Sequence, residues 1–114
     1  MIMIYHNPRC SKSREALALL QQHNAQITVV EYLKTPPTAA ELTAILMKLN
    51  ISARELLRSK EEEYRSLQLH NLALTEQQLI NAMVEHPKLI ERPIVVKGDR
   101  AAIGRPLSNI SALL

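Results

Sequence analysis

The only cysteine of this sequence, Cys10, lies among cations in the stretch HNPRCSKSRE, where Arg9, Lys12 and Arg14 surround it. A proline-containing turn precedes it, and a helix is predicted to start just after it. A helix N-terminus carries partial positive charge and the cations add more, so the ionised form of the sulfur is favoured. The thiolate is the nucleophilic form, and we therefore predict a reactive nucleophile at Cys10. The alternative is an inert, buried cysteine beside cations that serve only solubility.

The same stretch is suited to binding an oxyanion. Backbone N–H groups at a helix start point toward a bound anion, and one guanidinium can hold two of its oxygens. The hydroxyls of Ser11 and Ser13 are further donors. The stretch has no glycine-rich run, which excludes a P-loop. The tyrosine-phosphatase loop is disfavoured because its arginine lies six residues after the cysteine, where this chain has Ala16. We predict a pocket that holds an oxyanion against its own attacking thiolate.

Two strands and a helix are predicted to position this stretch. Ile2–Tyr5 is short and apolar, and residues 27–33 (ITVVEYL) are rich in β-branched side chains, so both are predicted strands. Between them, a helix capped by Ser11 or Ser13 has one apolar face, and Asn24 marks its end. This order predicts a βαβ unit with Cys10 where the first strand gives way to the helix.

The middle of the chain is predicted to be wholly helical. Pro36-Pro37 breaks the preceding structure, and Pro87 ends the last predicted helix of this section. Three capping boxes predict helix starts, at Thr38 and Glu41, at Ser52 and Glu55, and at Thr75 and Gln78.

The end of the chain changes character. Two short segments, 94–97 and 100–103, flank Gly98-Asp99 and predict a β-hairpin, and a final short helix is predicted near 107–114. The order of elements is then β-α-β, helices, β-β-α. We predict an α/β fold with a mixed four-stranded sheet, in a single domain 1–114 with a helical insertion at about 36–90.

Composition restricts the function classes. The 114 residues carry a net charge of +3, and their only aromatic residues are three tyrosines, which make a poor stacking platform for nucleic acid. The apolar runs are too short for a signal peptide or a membrane helix. One cysteine can form neither an internal disulfide nor a zinc site. We expect a cytoplasmic protein with a reduced thiol, no metal, no bound cofactor, and no nucleic-acid or membrane partner.

A set of motifs, in order along the chain, resembles one family. The motifs are HNPRCSKSRE, YLKTPP, LLR at 56–58, HP at 86–87, ERPIVV and GRP. This set runs from Ile4 to Pro106 and is similar to the glutaredoxin-coupled arsenate reductases, the ArsC family. The resemblance implies a thioredoxin-like fold with an inserted helical subdomain, which agrees with the order of elements predicted above.

The resemblance also implies the site residues. Cys10 matches the nucleophile that attacks arsenate and forms a thiolate–arsenic ester, and His6 matches a histidine that tunes the ionisation of that nucleophile. The implied oxyanion-binding residues are Arg58, Arg92 and Arg105. Without the resemblance, Arg58 is explained as a cation that stabilises a helix C-terminus. Arg92 and Arg105, each of which precedes a proline, are then explained as exposed loop residues.

A proline beside the implied site belongs to the same pattern. The resemblance implies a cis Arg92–Pro93 bond next to Cys10, whereas sequence alone favours trans, because cis is a small minority of X–Pro bonds.

The implied reaction needs a second thiol. Reducing arsenate to arsenite takes two electrons, which thiols supply by ending as a disulfide. Because Cys10 is the only cysteine in this sequence, an internal cysteine relay cannot operate. The resemblance implies that glutathione attacks the arsenic ester and that glutaredoxin resolves the mixed species, with release of arsenite.

Two alternative functions remain open, and the chain departs from the family at two points. The first alternative is a glutathione-dependent thiol oxidoreductase of the same family acting on another substrate. The second is a regulator that binds RNA polymerase, although the CxxC switch common in such relatives is absent, since Ser11-Lys12-Ser13 follows Cys10. Longer members of the family continue past the position of Leu114, and some carry a cysteine where this chain has Gly104.

Overall fold

The computed structural model describes residues 1–23 and 26–114, so the predicted helix end at Asn24 lies outside the described residues. The chain divides into two compact units. The first comprises Met1–Thr35 and Arg92–Leu114, and the second is Pro36–Glu91. Across the described residues, no helix is long and apolar enough to cross a membrane.

The first unit is built on a four-stranded mixed sheet. Its strands are β1 (Ile2–Tyr5), β2 (Ile27–Val30), β3 (Ile94–Lys97) and β4 (Arg100–Ile103), in the spatial order β2-β1-β3-β4. β1 runs parallel to β2 and antiparallel to β3, and β3 runs antiparallel to β4. The predicted mixed four-stranded sheet and the hairpin at Gly98 are both confirmed.

The register of the sheet brings distant parts of the sequence to one end. Tyr5, the last residue of β1, pairs with Ile94, the first of β3, and Ile94 pairs with Ile103, the last of β4. The segments that follow Tyr5, precede Ile94 and follow Ile103 therefore leave the sheet at the same end. Cys10 lies in the first of these segments.

Two helices pack on one face of this sheet. They are α1 (Ser11–His23) and the last helix of the chain, Ser108–Leu113. Ile2 and Ile4 point to the same face because side chains alternate along a strand. They share an aliphatic core with residues of both helices and of β3, namely Ala16, Leu20, Val95, Ile110 and Leu113.

The second strand is shorter than predicted. The apolar and β-branched pattern of residues 27–33 predicts one strand, but β2 ends at Val30. The N–H groups of Lys34 and Thr35 both donate to the carbonyl of Glu31, at 2.9 Å each, which turns the chain out of the sheet. Tyr32 is buried in this turn, so its apolar character reflects packing rather than strand structure.

The second unit is helical, as predicted. It contains α2 (Ala39–Leu49), α3 (Ala53–Leu56), α4 (Glu62–Ser66), α5 (Glu76–Glu85) and a 3₁₀ turn (Pro87–Leu89), and the last helix of the first unit is α6. The capping boxes at the starts of α2 and α5 are present in full. Ser52 accepts a hydrogen bond from the N–H of Glu55 at the start of α3.

Candidate active site

The turn before α1 places Cys10 at the helix cap. The N–H of Cys10 donates to the Asn7 carbonyl at 3.0 Å, and the N–H of Arg9 donates to the Asn7 side-chain oxygen at 3.0 Å. The Cys10 carbonyl accepts the first helical hydrogen bond, from the N–H of Arg14 at 3.0 Å. The prediction that Ser11 or Ser13 caps this helix is therefore wrong, because Cys10 holds the position at which a side chain can accept from the free N–H groups of the first turn.

The Cys10 sulfur lies in surroundings that favour its anion. Burial raises the pKa of the thiol, and this is the largest single influence. It is outweighed by a hydrogen bond from the Arg92 side chain, hydrogen bonds from the backbone N–H groups of Ser13 and Lys12, and the charge of Arg92. The pKa of Cys10 is therefore lowered from its ordinary value of 9.0, and the anionic nucleophile is more abundant near neutral pH.

Two arginines converge on this sulfur from the far end of the chain. Besides the Arg92 contact, Arg105 Nη2 lies 3.6 Å from Cys10 Sγ. Arg105 Nε also donates to the Arg92 carbonyl oxygen at 2.8 Å, which fixes the two arginines relative to each other. The structure therefore brings three of the predicted site residues together, because their segments leave the same end of the sheet.

Two prolines and a glycine form the backbone that carries the arginines. The Arg92–Pro93 and Arg105–Pro106 peptide bonds are both cis. The N–H of Gly104 donates to the Pro93 carbonyl at 2.9 Å, which ties the segment before β3 to the segment after β4. A Cβ atom on Gly104 would lie only 2.8 Å from Cγ of Pro93, so any larger residue here would force the Pro93 ring to shift.

His6 lies behind the nucleophile, linked to it through Ser13. His6 Nδ1 lies 2.6 Å from Ser13 Oγ, and the N–H of Asn7 donates to the same oxygen at 3.0 Å. Burial lowers the pKa of His6 and the charge of Arg14 lowers it further, whereas the Glu31 carboxylate raises it, and the net change is downward. The neutral form of the His6 imidazole is consequently favoured. The Ser13 hydroxyl is turned inward to this network, and it is the Ser13 backbone N–H that donates to the sulfur.

The cations next to Cys10 in sequence lie at the surface. Arg9, Lys12 and Arg14 are all exposed. Arg14 Nη1 donates to the Pro8 carbonyl at 2.9 Å, and Lys12 Nζ lies 3.9 Å from a Glu15 carboxylate oxygen. Ser11, the first residue of α1, is exposed as well. The guanidinium that lowers the pKa of Cys10 comes from Arg92, a residue remote in sequence.

Arg58 belongs to the second unit. Its side chain is 19% exposed, with Nε 3.2 Å from a Glu61 carboxylate oxygen and Nη1 2.9 Å from a Glu91 carboxylate oxygen. Its backbone N–H donates to the Leu89 carbonyl at 2.8 Å. These contacts are all within the second unit, and its assignment as an oxyanion-binding residue stays a prediction.

Sequence reasoning missed two features of the site. It did not find that Cys10 itself caps α1, although a cysteine immediately before a helix in place of serine, threonine or aspartate was the available signal. It also did not find the hydrogen bond from Arg105 to the Arg92 backbone, for which a linear sequence contains no signal.

The comparisons with known proteins agree with this geometry. Residues 5–113 match the model of the ArsC family. The chain belongs to the ArsC family. An arsenate reductase from Neisseria meningitidis serogroup A is 50% identical, over 99% of this chain and 97% of the relative. Uncharacterized protein YfgD of Escherichia coli is 55% identical, over 96% of this chain and 92% of the relative.

The fold comparison supports the same ArsC assignment. The structure of the arsenate reductase from Vibrio cholerae superposes with a TM-score of 0.95 and 46% identity, covering 99% of this chain and 97% of that chain. The predicted thioredoxin-like fold of the ArsC family is confirmed. The motifs that indicated the family, from HNPRCSKSRE to GRP, all lie within the matched residues.

Proposed function

We propose that this protein is an arsenate reductase in which Cys10 is the single nucleophile and glutathione, with glutaredoxin, supplies the completing thiol. The observation that carries the proposal is the Cys10 sulfur, whose pKa is lowered and which is contacted by the guanidinium groups of Arg92 and Arg105. A thiolate beside two guanidinium groups is suited to attacking an oxyanion that those groups also bind. Arsenate reductases at about half identity support the choice of arsenate.

The first step forms a bond between sulfur and arsenic. The Cys10 thiolate attacks the arsenic atom of arsenate, and one oxygen leaves as water after protonation. Arg92 and Arg105 offer N–H donors to the remaining oxygens, so they hold the substrate and balance its charge as the sulfur approaches. The N–H groups of Lys12 and Ser13, which hold the thiolate before the attack, are at the start of α1, where the partial positive charge of the helix also favours an anion.

The second step transfers the electrons. A glutathione thiolate attacks the intermediate, Cys10 and glutathione end as a mixed disulfide, and the two electrons lost by the two sulfurs reduce As(V) to As(III), which leaves as arsenite. Glutaredoxin then reduces the mixed disulfide and restores the Cys10 thiol. An external thiol is needed because the sequence contains no second cysteine.

Reconstitution tests the proposal directly. Purified protein with arsenate, glutathione and glutaredoxin is expected to produce arsenite, and omission of either thiol component should stop turnover. Cys10→Ser should abolish the activity and also prevent formation of a glutathione adduct detectable by mass spectrometry. Absence of arsenite with all components present would reject arsenate as the substrate.

A competition assay separates arsenate from other substrates of the same thiolate. Phosphate, sulfate and a glutathionylated peptide would each be added to the complete reaction. Deglutathionylation of the peptide by the protein without glutaredoxin, together with no arsenite formation in the complete reaction, would identify a thiol oxidoreductase acting on mixed disulfides.

A further inference from the structure

A cavity opens in the first unit beside the turn that leads to Cys10. Its volume is about 230 Å³, and its walls are the turn 6–9 and the segment after β2, from which Glu31, Leu33 and Lys34 contribute. The turn ends at the residue directly before Cys10, so a molecule bound in this cavity lies next to the turn that carries the nucleophile.

The cavity presents both signs of charge and one apolar surface. Arg9 and Lys34 are cationic and exposed, and Lys34 Nζ lies 3.5 Å from a Glu31 carboxylate oxygen. The side chains of Lys34 and Glu31 are 79% and 42% exposed, so their mutual attraction is weak and a ligand can replace it at little cost. Leu33 exposes 41% of its surface beside them. A ligand that carries carboxylates, an ammonium group and a short apolar stretch complements this lining.

We propose that this cavity binds the external thiol as a small zwitterionic peptide, of which glutathione is an example. Arg9 and Lys34 bind its carboxylates, and Glu31 binds its α-ammonium group. The inference rests on the proposed function, which requires a thiol from outside the chain. A tripeptide spans at most about 10 Å when extended, so a peptide held at both ends in this cavity keeps the thiol of its middle residue beside the turn 6–9 that leads to Cys10.

A non-reactive probe tests binding without chemistry. S-methylglutathione keeps both carboxylates and the ammonium group but cannot exchange with disulfides, and its binding is measured by NMR titration of the backbone amides. Lys34→Glu is expected to raise its Kd about fivefold or more, since a favourable charge contact becomes a repulsive one. Arg100→Glu is the matched control, because Arg100 is an exposed cation of the same unit at the hairpin and outside the cavity lining. It should leave Kd within about twofold.

Turnover gives a second measurement. In the arsenate assay, Lys34→Glu should raise KM for glutathione about fivefold and leave KM for arsenate unchanged. With 2-mercaptoethanol, which lacks the charged groups, Lys34→Glu and Arg100→Glu should have equal rates. Glu31→Gln, which removes the proposed ammonium partner, provides an independent variant if the first loses its fold, with an expected rise of about two- to threefold.

The outcomes separate this inference from the proposed function. Equal Kd values for S-methylglutathione in Lys34→Glu and Arg100→Glu overturn the cavity assignment, whether or not arsenate is reduced. Weaker binding of S-methylglutathione in Lys34→Glu but not in Arg100→Glu supports the cavity assignment. A wild-type protein that binds the peptide here but produces no arsenite would reject only the arsenate assignment.

Discussion

Replacing Ser13 by alanine tests whether the network behind the nucleophile holds this part of the fold together. Ser13 is fully buried, and its hydroxyl oxygen bonds both His6 Nδ1, at 2.6 Å, and the Asn7 N–H, at 3.0 Å. The substitution leaves the buried imidazole nitrogen unsatisfied, at a cost of about 1–3 kcal/mol. The Asn7 N–H is only partly buried and adds about 0.5–1 kcal/mol. We expect Ser13→Ala to lower the free energy of unfolding by about 1.5–4 kcal/mol.

Urea denaturation at pH 7 measures this loss. With a slope of about 1.5 kcal/mol/M for a chain of this size, the midpoint should fall by about 1.0–2.7 M. Ser11→Ala is the matched control, since Ser11 is an exposed serine on the same helix, and its effect should stay within about 0.5 kcal/mol. In a His6→Phe background the cost of Ser13→Ala should shrink by about 1–3 kcal/mol, because the nitrogen that the serine satisfied is already gone.

The direct effect on the thiol should be small by comparison. The N–H at position 13 that donates to Cys10 belongs to the backbone and is retained in the variant. If Ser13→Ala unfolds at the same urea concentration as Ser11→Ala, the buried hydrogen bonds contribute nothing measurable and the reasoning is refuted.

Three further predictions concern the thiol, the imidazole and the close approach of two segments. Arg92→Ala should raise the pKa of Cys10 by removing a hydrogen bond and a charge, seen as an upward shift in the pH midpoint of iodoacetamide labelling; an unchanged midpoint would exclude an electrostatic role. Burial lowers the pKa of His6, so as the pH falls the unfolded chain takes up a proton on this histidine before the folded chain does. The free energy of unfolding should therefore keep its full contribution from His6 above pH 6.5, the ordinary pKa, and lose it as the pH falls through the folded-state pKa. Urea titrations from about pH 7.5 to 4.5 measure this loss, and His6→Gln should flatten it. Gly104→Ala should cost about 1–3 kcal/mol, since its Cβ would lie 2.8 Å from the rigid ring of Pro93, and a wild-type melting curve would contradict this contact.

Much of the fold could be predicted from the sequence because local patterns are strong there. The capping boxes that open α2 and α5 are complete within four residues each, and the hairpin is marked by Gly98, whose φ of 63° favours glycine. The prediction that the second strand continues to residue 33 was wrong because the local pattern there does not reflect strand structure. Tyr32 continues the apolar pattern, but its burial depends on tertiary packing, which local sequence does not record.

The candidate site was predictable only in part. Its nucleophile and the helix start beside it are local features, and the motif around Cys10 contains both. The sequence predicts that the cations of that motif favour the ionised sulfur, yet the guanidinium that lowers its pKa belongs to Arg92, more than 80 residues away. Strand register brings it there, and register is a property of the sheet rather than of any one segment.

The two-residue turn at Gly98 has a consequence for how this protein could be inactivated during evolution or by design. The turn lies at the opposite end of the sheet from the sulfur, yet it sets the pairing of Ile94 with Ile103 and so the position of Arg105. An inserted residue that shifted β4 by one step, rather than lengthening the loop, would send every side chain of β4 to the opposite face of the sheet. Such a single-codon insertion would move Arg105 away from Cys10, although the turn itself touches no reacting atom.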